Sequence, residues 1–447
     1  MRNTAPPSRP LRRLVTTVLT AVATLAAGFA VAAPADAGNV ATPGNFTGYG
    51  FDQCLAPSQQ SMNAWLTSSP YWAVGIYISG ASRACRSQPN LTPTWVSTQL
   101  RNGWRLLPIT LGPQAWCTTR ERYLKQVRIN PSPTNAYATA RSQGRAEADK
   151  AVATAQKLGI VARSTLWYDI EAFDISKYHC RESALSFLSA WTNRLHGRNY
   201  VSGIYSSAAS GIKMLDDVRV NRPGKYTMPD RVWIADWNRR ADVYSSYVRN
   251  SGWMPHKRVH QYRGGHNETH GGVTINIDNN WLDLGKGSSL AAEPKHCGGA
   301  ATYNYGSYPQ RAIGSTGALV KTIQCLLKNK GLYGGAVDGV YDSEVGVAVR
   351  KYRVSRGLTS GTTMTGRTWV ALLSQGTTPL MKVGSASPAV RRLQRALNAA
   401  DQAGLTVTGV FNRRTMALVK RYQSDHRRSA TGVVTTGVWR LLQSGTR

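Results

Sequence analysis

Residues 166–174 read LWYDIEAFD and set Asp169 and Glu171 two positions apart inside an otherwise apolar, aromatic run. A strand alternates its side chains with period two, so both carboxylates project to the same face. Two carboxyl groups on one face are the minimal equipment for general acid/base work on a glycosidic bond or for holding a metal ion. Each alone also fits a structural carboxylate paired with Arg or with backbone amides. Acids are scarce here, 23 Asp and Glu against 55 Lys and Arg, so their placement is informative.

Outward from this stretch, runs rich in β-branched and aromatic residues occur at 48–54, 71–79, 104–112, 165–171, 201–207, 232–237, 257–262 and 273–278. They predict eight strands. Helical periodicity separates several of them, most clearly at 137–158 and 183–195. Strands alternating with helices across residues 46–284 predict an α/β fold, a (β/α)8 TIM-like barrel. The last three connections lack a convincing helix, so the barrel is expected to be irregular there.

Functional groups of such barrels sit at the carboxyl ends of the strands. The conspicuous acids fall there: Asp52 late in the first strand, Asp169 and Glu171 ending the fourth, Asp236 late in the sixth, and Asp278 ending the eighth. Solvated acids favour loops and helix exteriors, whereas these follow Phe51, Tyr168, Ala235 and Ile277 within apolar runs. Several carboxylates in one apolar pocket raise the pKa of at least one of them. Glu171 is the candidate acid, since its extra methylene reaches from the rim. Asp169, one layer deeper, is placed to orient it or to face the anomeric carbon.

Aromatic side chains at strand ends and in loops, namely Tyr77, Trp116, Tyr205, Trp237 and Tyr262, are candidates for stacking on sugar faces, with core packing as the plainer reading of each. His256 with His260, and His266 with His270, have metal-like spacing. Neither pair lies on a convincing helix, so converging imidazoles are not expected and no metal is assigned. No zinc-protease, nucleophile-elbow, phosphate-loop or dinucleotide motif is present, and no cofactor is expected.

Residues 313–376 and 382–444 form a repeat. Gly314, Val320, Gln324, Leu327, Gly339, Tyr352, Trp369 and Leu372 recur as Gly384, Val390, Gln394, Leu397, Gly409, Tyr422, Trp439 and Leu442, at a constant offset of 70. Each unit reads as an amphipathic helix (319–328; 389–399), a Gly-containing turn, a second helix through the Tyr and a short third helix around the Trp. Two small three-helix domains are expected, joined to the barrel by a Gly, Ser and Tyr-rich linker at 285–312.

The amino terminus carries Arg2, Arg9, Arg12 and Arg13, then an apolar run to about Ala33, then Ala35-Asp36-Ala37. This reads as a signal peptide, residues 1–37, cleaved after Ala37, with either general or twin-arginine export open. Cys54, Cys85, Cys117, Cys180, Cys297 and Cys325 suit disulfides in an oxidising compartment. Spacing does not fix their pairing; the working assignment joins Cys54 to Cys85, Cys117 to Cys180, and Cys297 to Cys325. A formal net charge of +32 calls for an anionic partner. Scattered basic residues on an exported chain point to anionic cell-wall polymers rather than to specific nucleic acid, and to no membrane after signal cleavage.

The repeat pattern, with VDGVYDSEVGVAVRKYR nearly complete in its first copy and Thr408 replacing Asp338 in its second, resembles the peptidoglycan-binding domain at the ends of many wall hydrolases. That replacement is expected to weaken the second turn. The ordered set GYGFDQC, LWYDIE, VWIADW, VHQY and INIDNN resembles the family-25 glycoside hydrolases, lysozymes of peptidoglycan, and still more the glycoside-hydrolase-like domain of unknown function 1906. The resemblance implies Glu171 as the acid, with Asp52, Asp169 and Asp278 shaping the catalytic site. The substrate-binding set is expected to be Asp236, Tyr77, Tyr205, Trp237, and Gln261 and Tyr262 of the VHQY run. The expected protein is a secreted or wall-associated monomer, a hydrolase of peptidoglycan glycosidic bonds; the alternative is a non-catalytic carbohydrate-binding protein on the same scaffold. An amidase or peptidase would need zinc ligands or a Cys/His pair that the chain does not offer.

Overall fold

Eight strands close into a barrel in chain order: β1 (Phe46–Asp52), β2 (Ala73–Ser79), β3 (Arg105–Thr110), β4 (Thr165–Asp169), β5 (Val201–Ser207), β6 (Arg231–Ala235), β7 (Lys257–His270) and β8 (Val273–Leu284). This computed structural model describes Met1, Asn3, residues 38–285 and residues 292–447. The expected signal peptide and its cleavage site lie outside the described residues, as do residues 286–291 of the expected linker. From Asn39 to Arg447 the chain is one compact unit. Among the described residues no helix is long and apolar enough to cross a membrane.

β1 through β7 run parallel, but β8 is antiparallel to both of its neighbours, β7 and β1. A two-glycine turn makes this reversal: Gly271 and Gly272 both adopt positive φ, 57° and 77°, which glycine tolerates without a Cβ clash. The expected eighth strand ending at Asp278 is corrected accordingly. Asp278 lies mid-strand, paired opposite Asp52, and reaches the rim because its strand enters from that end.

Helices follow the first five strands: α1 (Gln59–Ser68), α2 (Pro93–Arg101), a single turn α3 (Glu121–Leu124) with α4 (Thr134–Lys157), α5 (Tyr178–Gly197) and α6 (Lys213–Asn221). Caps start two of them as the sequence dictates, Ser58 accepting from Ser61 N–H and Thr92 from Trp95 N–H ahead of Pro93. Helix α4 packs closely on α5 at Gly144, where a Cβ would sit 2.3 Å from the Phe187 carbonyl oxygen. No helix lies between β6 and β7, nor between β7 and β8, as expected, but the connection from β5 to β6, expected to lack one as well, carries α6.

Strand alternation builds two cores. Inside the barrel lie Phe46, Ala73, Leu107, Ile109, Trp167, Trp233, Val259, Leu282 and Leu284. Between barrel and helices lie the outward residues, among them Phe51, Val74, Ile76, Leu106, Leu166, Tyr168, Ile204 and Ile234. In β4 this sends Leu166 and Tyr168 outward and Trp167 and Asp169 inward. Burial of such apolar side chains contributes roughly 1.5–3 kcal/mol each.

The repeat folds as two helical modules, α7 (Ala318–Lys328), α8 (Ser343–Ser355) and α9 (Gly366–Ser374), then α10 (Pro388–Asp401), α11 (Arg413–Asp425) and α12 (Thr436–Gln443). The offset of 70 extends to their hydrogen bonds: Trp369 Nε1 donates to Pro309 O at 3.0 Å and Trp439 Nε1 to Pro379 O at 2.9 Å. Thr408 keeps the bonds of the second turn, each longer than its counterpart in the first. Its hydroxyl accepts from Val410 N–H (3.1 Å) and Gln394 Nε2 (3.3 Å), as the Asp338 carboxylate accepts from Val340 N–H (2.9 Å) and Gln324 Nε2 (2.7 Å). The described part of the expected linker is not a loose connector: Tyr308 is buried in the modular core, and Cys297 is bonded to Cys325 of α7. The working disulfide assignment holds at all three pairs.

The second module covers the barrel where helices are missing. Arg413 of α11 lies over the rings of Tyr49 on β1 and Trp281 on β8, 5.5 and 4.2 Å from their centroids. Lys382 is buried at the amino-terminal end of the barrel, donating to Leu66 O (2.8 Å) and Ser69 O (3.1 Å) beside the rings of Trp72 and Trp104.

Candidate active site

The inward side chains at the carboxyl ends of β1, β2, β4 and β5, together with those of β7 and β8, converge on one cleft. Two adjoining recesses, about 320 and 530 Å³, share Asp52, Tyr77, Asp169, Glu171 and Asp278 along their common ridge. Each falls in the size range that takes small ligands. Gly75 on β2 makes the room, since a Cβ there would lie 2.5 Å from the Cβ of Asp52. Beneath the acids the indoles of Trp167 and Trp233 meet edge to face, with centroids 5.5 Å apart, and form an apolar floor.

That floor governs the electrostatics. Burial pushes Asp52 up to about 6 against the lowering effect of amide bonds from Asn280 (2.6 Å) and Gln261 (3.2 Å). Burial, then the nearby charges of Asp52 and Glu171, push Asp278 up to about 8. Asp169 is raised well above the ordinary carboxylate range by burial and by the charges of Glu171 and Asp52, more than Tyr77 and Arg120 offset. The cleft therefore holds protons on carboxyl groups at neutral pH.

Glu171 stands just beyond the end of β4, at the surface of the cleft. Its oxygens meet the Tyr123 hydroxyl at 3.2 Å and the Arg120 guanidinium at 3.2 Å. Gln114 fixes the backbone of the pair, its Nε2 donating to Asp169 O at 2.9 Å and its Oε1 accepting from Glu171 N–H at 2.7 Å. Tyr77 donates to Asp169 Oδ2 at 3.4 Å. Gln261 is a hub: its Nε2 reaches Asp52 and Asp278, and its Oε1 accepts from Tyr205 (2.9 Å) and Trp237 (3.0 Å).

Of the ten residues expected here, nine line or brace the cleft: Asp52, Tyr77, Asp169, Glu171, Tyr205, Asp236, Trp237, Gln261 and Asp278. Tyr262 does not line it. Next to inward Gln261, it takes the opposite face of β7, where its hydroxyl feels Tyr49 and Arg413. Trp116 is exposed and lies under Arg128 outside both recesses. His256 bonds Asp283 and His260 the Asp236 and Asp242 carbonyls, so the first spaced pair does not converge, whereas His266 and His270, against expectation, both bond the Glu268 carboxylate. The sequence analysis assigns no role to Gln114, Arg120, Tyr123, Tyr247 or Asn280; of these, Gln114 carries a signal as a polar residue just past the end of a buried strand, and Asn280 as the end of the INIDNN run.

No curated protein matches the chain. Solved structures similar to it include the Tat-secreted protein Rv2525c of Mycobacterium tuberculosis (14% identity over 53% of this chain and 95% of that one, TM-score 0.35). They also include a family 25 glycosyl hydrolase from Bacillus anthracis (11%, 56% and 94%, TM-score 0.32) and the spore cortex lytic enzyme SleM of Clostridium perfringens (14%, 56% and 74%, TM-score 0.37). Family models match in two places, at residues 63–282 and at residues 386–442, the second lying on the module that carries Thr408. The first match is to the Rv2525c-like, glycoside hydrolase-like domain and lies on the barrel, and the second is to a peptidoglycan binding domain and lies on the last module.

Proposed function

We propose that the barrel cleaves glycosidic bonds of peptidoglycan and that the carboxy-terminal modules hold it on the wall. The observation that carries this reading is the ridge of four carboxyl groups between two recesses, which suits a chain lying across the cleft with its bond at the ridge. Glu171, at the cleft surface, gives a proton to the leaving glycosidic oxygen as the bond from that oxygen to the anomeric carbon breaks. Asp52, the least raised of the inward acids, supplies the negative charge that stabilises the sugar cation beside Asp169 and Asp278, and water gives its hydroxyl to the anomeric carbon and its proton back to Glu171. Trp237, 63% exposed, and Tyr247 offer faces for sugar stacking in the second recess.

Three disulfides suit export to an oxidising compartment, as does the apolar, Arg-led amino terminus, and a peptidoglycan binding domain suits residence at the wall. Anchoring raises the local concentration of a catalyst on its polymer. The net charge of +32 adds attraction to anionic wall polymers.

One observation favours the alternative, a barrel that binds glycan without cutting it: Arg120 pairs with Glu171. The test is to incubate the mature protein with purified peptidoglycan and to measure new reducing ends. Reducing ends that appear with the wild type and vanish in Glu171→Gln support the hydrolase. Equal binding by both proteins, with no new ends from either, overturns it in favour of the binding protein.

A further inference from the structure

The Arg120–Glu171 contact sets a problem for any acid at this position, because the guanidinium engages the carboxylate oxygen that would have to meet the glycosidic oxygen. The two groups are not buried together: the Arg120 side chain is half exposed while that of Glu171 is 19% exposed. Arg120 Nη2 meets Glu171 Oε2 at 3.2 Å, and Arg120 lines the same recess as Trp237 and Tyr247. The backbone beneath it is fixed. Cys117, three residues earlier, is bonded to Cys180, and Arg120 O accepts from Tyr123 N–H at 2.9 Å. The other guanidinium groups of the cleft are committed to the chain itself, Arg83 to the Gly80 and Tyr77 carbonyls and Arg122 to the Ser82 carbonyl. Arg120 is therefore a half-exposed cation on a base fixed by the disulfide, facing the carboxyl groups of the ridge, while Arg83 and Arg122 are turned to backbone carbonyls.

Resting on the glycan reading above, we propose that Arg120 receives a carboxylate borne by the substrate glycan and that this exchange of partners releases Glu171 to act as the acid. A planar guanidinium fork matches a carboxylate in two parallel hydrogen bonds, and the group it leaves is itself a carboxylate. The substrate class is then a glycan strand with an acid on the sugar beside the scissile bond, such as the free lactyl group of a muramic residue without its peptide. An intact stem peptide converts that lactyl group to an amide and places its own carboxylate at the far end of the peptide.

The test is equilibrium binding of three tetrasaccharides to the mature protein by calorimetry. The first bears free lactyl carboxylates, the second the corresponding carboxamides, and the third lactyl-linked peptides ending in a carboxylate. The wild type is expected to prefer the first over the second by about tenfold or more. Arg120→Gln is expected to level the two, and Glu171→Gln, whose Arg120 has lost its competitor, to bind the first more tightly than the wild type does. Equal binding of the first two by the wild type, or a preference that survives in Arg120→Gln, overturns the proposal. So does unchanged affinity in Glu171→Gln, or a third probe that binds as well as the first. Because affinity and release of reducing ends are separate readouts, a barrel that discriminates yet never cuts refutes only the hydrolase, while cutting without discrimination refutes only this inference.

Discussion

The side-chain oxygen of Gln114 accepts the backbone N–H of Glu171 at 2.7 Å, while the amide nitrogen of the same side chain holds the Asp169 carbonyl. One amide from the loop after β3 thus sets the spacing of the two acids that end β4. In Gln114→Ala that loop no longer fixes the Glu171 backbone. Peptidoglycan cleavage should fall about 10- to 100-fold in kcat with KM changed by less than about threefold, because the lost interaction positions the acid rather than binds the glycan. Steady-state release of reducing ends checks this; a change confined to KM would contradict it.

Asp278 is a stability cost that depends on pH. Its carboxyl, pushed to about 8 in the fold from 3.8, keeps a proton in the native state that the unfolded chain has lost. A raised carboxyl pKa means that stability falls as pH climbs from about 4 to about 8. Asp278→Asn removes the charge while leaving an oxygen for Gln261. It should match the wild type in stability at pH 4 and exceed it by about 1–2 kcal/mol at pH 8, at the expense of activity. Denaturant melts at the two pH values decide it, and equal stability at both would refute the assignment.

Glu268 has the opposite sign. Burial opposes its ionisation, but bonds from His270, Tyr71, His266 and Asn279 outweigh that and hold the carboxyl far below its usual range. Stability from this cluster is present above the unfolded value, near pH 4.3, and is lost as pH falls below it. The difference in stability between wild type and Glu268→Gln should be largest near neutrality and shrink below about pH 4. Thermal melts across that range test it, and a difference that grows on acidification would count against it.

Lys382 joins the second module to the barrel through two backbone carbonyls and two indole faces. Lys382→Ala leaves those carbonyls unpaired and opens a void. A loss of about 2–4 kcal/mol is expected, with a single calorimetric transition splitting into two as module and barrel melt apart. A single transition at unchanged temperature would show that the contact contributes little.

Much of this is legible in the sequence. The alternation through Leu166, Trp167, Tyr168 and Asp169 told inward from outward residues, and the offset of 70 told where the modules lie. The reversal of β8 was not readable, because period two is the same for a strand run in either direction; Asp278 was placed at the rim through the wrong strand end. Tyr262 was lost to the same alternation that placed Gln261. Arg120 and Lys382 looked like surface charge, since a basic residue shows its partner only when distant segments are brought together.

The seating of the second module on β1 and β8 also bears on how the protein would travel. A binding domain on a slack tether lets its catalyst sweep a disc of polymer, whereas one clamped to the barrel floor leaves no slack. On the proposed reading the protein behaves as a caliper, with one jaw gripping the wall and the other cutting at a set stride. Fragment lengths from an ordered glycan would then carry the imprint of that stride.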